Sequence, residues 1–123
     1  MIDKINYLET ETEKYPLVFS LNVMESIQDK YGSIEKWSRL IQREGEPDIK
    51  ALKFFMTEAI NEGIEIENEK NTEKRKPITL KKAGRILTEV GLSGTANKIM
   101  TTISESIQAE NAPKNEFTTK NQT

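Results

Sequence analysis

The sequence predicts a mainly α-helical fold, a compact bundle of about five short helices with a small N-terminal β-hairpin and a disordered C-terminal tail. Three observations carry that prediction. Apolar residues recur at three- and four-residue spacing in five segments, as in helices with one buried stripe. Each segment opens on a residue able to cap a helix: Ser20, Ser33, Asp48, Thr79 and Ser93. The 123 residues, 35% of them apolar, suffice for one core and are too few for two domains of ordinary size. Residues 1–109 are therefore read as one domain and 110–123 as a tail.

Taken in order, residues 1–13 are polar, with Ile2, Ile5, Tyr7 and Leu8 as the apolar side chains after Met1. Tyr15, Pro16, Leu17, Val18 and Phe19 follow as a short β-favouring run. Residues 5–9 and 17–19 can pair as a hairpin, with 11–14 turning between them and Pro16 at a strand start or edge. Such a ribbon needs helices to lean on.

Ser20 caps a first helix that Gly32 stops near Tyr31, with Val23, Met24, Ile27 and Tyr31 on one face. Ser33 caps a second, with Ile34, Trp37, Leu40 and Ile41 in a stripe, and the two-residue join forces a sharp turn. After the break at Gly45, Glu46 and Pro47, Asp48 starts a third helix. Its stripe is Ile49, Leu52, Phe55, Met56, Ala59 and Ile60, and Gly63 is read as its end. Residues 64–77 then read as an exposed charged loop, with Ile64 and Ile66 alternating like a short edge strand. Thr79 caps a fourth helix burying Leu80, Ala83, Ile86, Leu87 and Val90 and closed by Gly91. Ser93 opens a fifth, aligning Ala96, Ile99, Met100, Ile103 and Ile107.

Composition excludes much chemistry. The chain has no Cys and no His, which removes disulfides, thiol nucleophiles, His-based triads and every His- or Cys-ligated metal site. The neighbouring carboxylates, Glu9/Glu11/Glu13, Glu44/Glu46 and Glu65/Glu67/Glu69, fall in loops or on solvated faces rather than in a cleft that would drive their pKa values apart. No phosphate-binding loop or calcium loop is present. The expectation is a protein with no catalytic, cofactor or metal residues. A net charge of −2 gives no general attraction to nucleic acid or anionic membrane. No apolar run reaches the roughly 20 residues of a membrane span, and no signal peptide opens the chain, so a cytoplasmic location is expected.

Two features point to partners. Phe54 lies about 170° from the centre of its helix's apolar stripe, among Lys50, Thr57, Glu58 and Asn61. A ring there is either covered by another layer of the same protein, from the hairpin or the charged loop, or serves as an anchor for a partner. Phe54, Lys50, Glu58 and Asn61 are the candidate partner-binding residues. The helices within residues 79–107, joined at Gly91 and Leu92, also have the spacing of a helix-turn-helix. Its second helix would present Thr95, Asn97, Lys98, Thr101 and Thr102, with Lys81, Lys82 and Arg85 on phosphate. Lys98 is the one cation among those outward residues, so an ordinary helix pair explains the same pattern.

Three stretches together carry a family resemblance. Tyr15, Pro16, Leu17, Val18, Phe19, Ser20, Leu21, Asn22, Val23 and Met24 run into Tyr31, Gly32, Ser33, Ile34, Glu35, Lys36 and Trp37. A helix ending at Glu62 and Gly63 follows, then Leu80, Lys81, Lys82, Ala83, Gly84, Arg85 and Ile86, then Gly91 and Leu92. In order and spacing, over about residues 15–107, this resembles the tail assembly chaperones of long-tailed phages and of prophages in Gram-positive bacteria. The resemblance implies a non-enzymatic protein that keeps the tape measure protein soluble, helps recruit tail tube subunits and leaves before the virion is complete. It also implies a frameshift-extended form. Lys114-Asn115 and Lys120-Asn121 are the places where a slippery codon pair would fit, and self-association is open.

Overall fold

The computed structural model describes residues 5–111, with side chains through Glu105. The order is β1 (Asn6–Glu9), β2 (Lys14–Leu17), α1 (Leu21–Tyr31), α2 (Ile34–Ile41), α3 (Ile49–Lys70), α4 (Leu80–Val90) and α5 (Leu92–Asn111). The five helices and the antiparallel hairpin are those the sequence predicts. The tail was expected from residue 110, but α5 continues through Asn111, and residues 112–123 lie outside the described residues.

The hairpin pairs Asn6 with Leu17, Tyr7 with Pro16, Leu8 with Tyr15 and Glu9 with Lys14. Its second strand thus begins earlier than the expected 17–19, and residues 10–13 make the turn. The Thr10 amide donates to the Glu13 carbonyl at 2.8 Å, and the Glu13 amide donates to Thr10 Oγ1 at 3.0 Å. The pairing stops at Leu17 because the Val18 amide donates instead to the Ala59 carbonyl on α3, at 3.2 Å. From Tyr15 to Phe19 every side chain is buried, as expected of a strand covered on both faces.

Four of the five expected caps are in place. Ser20 Oγ accepts from the Val23 amide, Ser33 Oγ from Lys36, Asp48 Oδ1 from Ala51 and Thr79 Oγ1 from Lys82. The fifth helix begins at Leu92 rather than after Ser93. Gly91, at φ 93°, turns the chain, and its carbonyl already accepts from the Thr95 amide.

The main departure is α3. It does not stop at Gly63 but runs 22 residues to Lys70, so residues 64–70 are helix, Ile64 and Ile66 form no strand, and the connecting loop is confined to 71–79. Gly63 is not a terminator. It is buried beneath β2, where a Cβ would stand 2.7 Å from Pro16 Cβ. The missing side chain is what lets strand and helix touch. Beyond that contact the last turns of α3 find partners: Tyr7 Oη donates to Glu67 at 2.6 Å. That carboxylate raises the Tyr7 pKa above its ordinary value, first through the hydrogen bond and then with help from burial.

One cluster of buried apolar side chains extends from Leu8 on β1 to Ile103 on α5. At its centre Phe55 lies 5.1 Å from Trp37 and 5.9 Å from Phe19, centroid to centroid. The indole N–H of Trp37 donates to the Ala51 carbonyl at 3.0 Å, so a fully buried Trp leaves no polar atom unsatisfied. Leu80, expected inside, is instead 52% exposed, because it stands at the entry of α4 where the helix edge meets solvent.

The glycines make the α3 account testable. Gly63→Ala should destabilise by about 1–3 kcal/mol in urea unfolding, since Pro16 and the strand backbone must shift. Gly94→Ala, also on a helix but with nothing within 4 Å of its Cβ, should leave stability equal or raised. Equal behaviour of the two variants would mean that the hairpin does not sit on Gly63.

Candidate functional site

Two concave surfaces lie along the flanks of α3, and a third sits at its C-terminal end around Lys70 and residues 71–75. The first is a cleft of about 300 Å³ between α1, α3 and the 71–79 loop, lined by Asn22, Ser26, Glu58, Asn61, Glu62 and Arg75 among others. Asn22, Asn61, Glu62, Asn68 and Arg75 among its polar groups serve the fold. The Asn61 amide donates to the Ile78 carbonyl at 3.0 Å and accepts from the Ile78 amide at 2.7 Å. Asn68 makes the same two-way bond with the Arg75 backbone, at 2.9 Å each way. Glu62 accepts from Ser20 Oγ at 2.7 Å and from Asn22 at 3.2 Å, tying α3 to the start of α1. Arg75 reaches the hairpin, donating to the Lys14 carbonyl at 3.0 Å, pairing with Glu13 at 2.5 Å and lying 4.8 Å over the Tyr15 ring.

The four candidate partner-binding residues form a row along α3 that these contacts divide. Lys50 is exposed on the first turn. Phe54 is partly buried: Tyr31 meets it edge-on at 5.8 Å and the Lys30 ammonium lies 5.4 Å from its ring centre. The cover is intramolecular, yet it comes from the end of α1 rather than from the hairpin or the loop. Burial, with Asp48 nearby, raises the Tyr31 pKa, so its phenol stays neutral against the ring. Glu58 and Asn61 line the cleft, and Asn61 is committed to the loop backbone.

The second surface is apolar. It runs between the first turns of α3 and the second half of α4, and is lined by Ile49, Lys53, Gly84, Leu87, Thr88, Gly91 and Leu92. The two helices are antiparallel here, since Ile78 sits against Asn61 and Gly84 against Lys53. Gly84 is the notch in the floor: the Lys53 methylene stem passes 3.4 Å from where its Cβ would be. Leu80 lies one turn before Gly84 on the same face of α4. Of the three large apolar side chains exposed among the described residues, Ile49 (50%) lines this groove, Leu80 (52%) stands on α4 one turn beyond its Gly84 end, and Leu21 lies apart. From Leu80 to Gly91 the row spans about 16 Å, three turns of a docked helix.

The sequence reading missed this groove because Ile49 and Leu80 fit their stripes, and a helical wheel does not separate the edge of a stripe from its centre. Gly84 inside a strong helical pattern was the available signal. The outward set drawn for the fifth helix also changes. Thr95 and Thr102 are buried, their hydroxyls donating to the Gly91 and Lys98 carbonyls at 2.7 and 2.9 Å, which leaves Asn97, Lys98 and Thr101 exposed. A threonine bonded to its own helix packs like an apolar residue.

Among the described residues no group of three or more carboxylates is placed to hold a metal ion, and no helix is long and apolar enough to cross a membrane. No family model, curated protein or solved structure matches the chain.

The cover on Phe54 can be measured. Phe54→Ala should cost less than the roughly 3–5 kcal/mol of a fully buried ring. A double-mutant cycle with Tyr31→Ala in urea unfolding should return a coupling of about 0.5–1.5 kcal/mol. A neutral Phe54→Ala with no coupling would return the ring to the free surface.

Proposed function

We propose that this chain is a non-enzymatic tail assembly chaperone of a long-tailed phage or prophage, and that the α3–α4 groove receives an apolar helical stripe of the tape measure protein. The observation that carries the reading is the groove itself, with half-exposed Ile49 in its lining, Gly84 in its floor and half-exposed Leu80 one turn beyond Gly84 on the same face of α4. A long helical protein synthesised before its tube exists exposes apolar stripes, and helix-in-groove docking is the recognition mode that covers them. The resemblance in residue order and spacing over about residues 15–107 supports the same reading. On it, the protein acts in the host cytoplasm, brings tail tube subunits through a frameshift-extended form, and is absent from the finished virion.

The test is co-expression with the tape measure protein of the same genome. The parent chain should keep that protein soluble and co-purify with it. Leu80→Asp, at a half-exposed site, should melt within a few degrees of the parent and lose about tenfold or more of the co-purified partner. A tape measure protein equally soluble with and without the chain would contradict the chaperone function. Full capture by Leu80→Asp would contradict the groove.

A further inference from the structure

We infer that the helix taken up by the α3–α4 groove carries acidic residues along both edges of its apolar stripe. The inference rests on the proposed reading, which puts a partner helix in the groove, and adds what chemistry that helix must have.

The charge around the groove is of one sign. Lys53 is in its lining, and Lys50 stands about 60° further round α3 on the solvent side. On α4, Lys81 and Arg85 lie about 60° and 100° from Gly84, again on the solvent side, because the core residues Ala83, Ile86 and Leu87 occupy the other. Both banks of the groove are therefore cationic. None of these four side chains has an ion-pair partner among the described residues. The acidic residues that follow on the same helices stand further round: Glu58 is about 140° round α3 from Lys53, and Glu89 about 140° round α4 from Gly84, some 40° beyond Arg85. Glu89 is also occupied, accepting from the Glu11 amide at 2.8 Å. No carboxylate lines the groove. In a chain of net charge −2, an apolar trough with unpaired cations on both banks and no acid selects an apolar stripe edged by Glu or Asp and repels one edged by Lys or Arg.

The chain's own C-terminal segment does not fit the role. Residues 112–123 hold Ala112, Pro113 and Phe117 as their apolar residues and so supply no apolar stripe at helical spacing. The occupant is another polypeptide.

Two labelled amphipathic peptides of about 18 residues, ~27 Å when helical, provide the test. They share one Leu/Ile stripe, and one is edged with Glu, the other with Lys. Fluorescence anisotropy with the full chain should give about tenfold tighter binding of the Glu-edged peptide at about 0.05 M salt. That preference should vanish at about 1 M, where the screening length is ~3 Å. Lys50→Glu/Arg85→Glu should reverse the preference, and Leu80→Asp should weaken both peptides. Equal binding of the two peptides, a preference for Lys edges, or a preference that survives the charge reversal would overturn the inference. So would binding to phosphatidylglycerol vesicles through Leu80 with neither peptide bound, which would make the groove a lipid-facing surface. If the peptides are not distinguished but the tape measure protein is still captured through Leu80, the acidic edges are wrong and the chaperone reading stands.

Discussion

The contact of Pro16 with Gly63 is the constraint on which the rest of the arrangement depends. The Pro16 ring can approach the α3 backbone this closely only because the helix has no Cβ there: one at Gly63 would stand 2.7 Å from Pro16. With β2 seated there, Val18 hydrogen-bonds to Ala59 and the run from Tyr15 to Phe19 is buried on both faces. The continuation of α3 beyond Gly63 then has work to do. Glu67 takes the Tyr7 hydroxyl, and Asn68 holds Arg75, whose guanidinium returns to the hairpin at Lys14. The loop is fixed at both ends, by Asn68 and by Asn61, and so α4 is delivered antiparallel along the first half of α3. The groove follows from that placement.

The two sides of α3 have consequently been put to different uses. On the side facing α1 and the loop, amide side chains pair with backbone and Glu62 ties down the start of α1. Those groups are satisfied by the fold, and a partner would have to replace bonds already made. On the side facing α4, Ile49 and Leu80 leave apolar surface in water, and only the flexible stem of Lys53 lies over the Gly84 notch among the described residues. A partner gains there without breaking anything, which is why the functional reading belongs on this face.

How much could be read in advance depended on whether a signal was local. Ser20, Ser33, Asp48 and Thr79 cap as their positions foretold, and Gly32 and Gly91 end helices at positive φ, because a cap and a stop involve only residues a turn apart. Gly63 carries the same local signature as those two and means something else. What separates it from them is Pro16, 47 positions earlier in the sequence, and no window along the chain contains both. The length of α3, the loop boundaries and the fate of Ile64 and Ile66 went with it. The candidate site followed the same rule. Phe54, a ring among polar helical neighbours, meets Tyr31 at the end of another helix, a contact its own helix does not announce. Leu80 and Ile49 looked like core residues because periodicity reports which face a side chain is on and not whether a neighbouring element reaches it.

The central claim, that the partner lies between α3 and α4 and not in the cleft beneath the loop, is tested most directly by site-specific photo-crosslinking in cells that also make the tape measure protein. A photoreactive residue at Thr88, in the groove, and one at Ser26, in the cleft, differ only in which side of α3 they report. The account predicts a covalent adduct with the tape measure protein from Thr88 and none from Ser26. An adduct from Ser26 with Thr88 silent would contradict it.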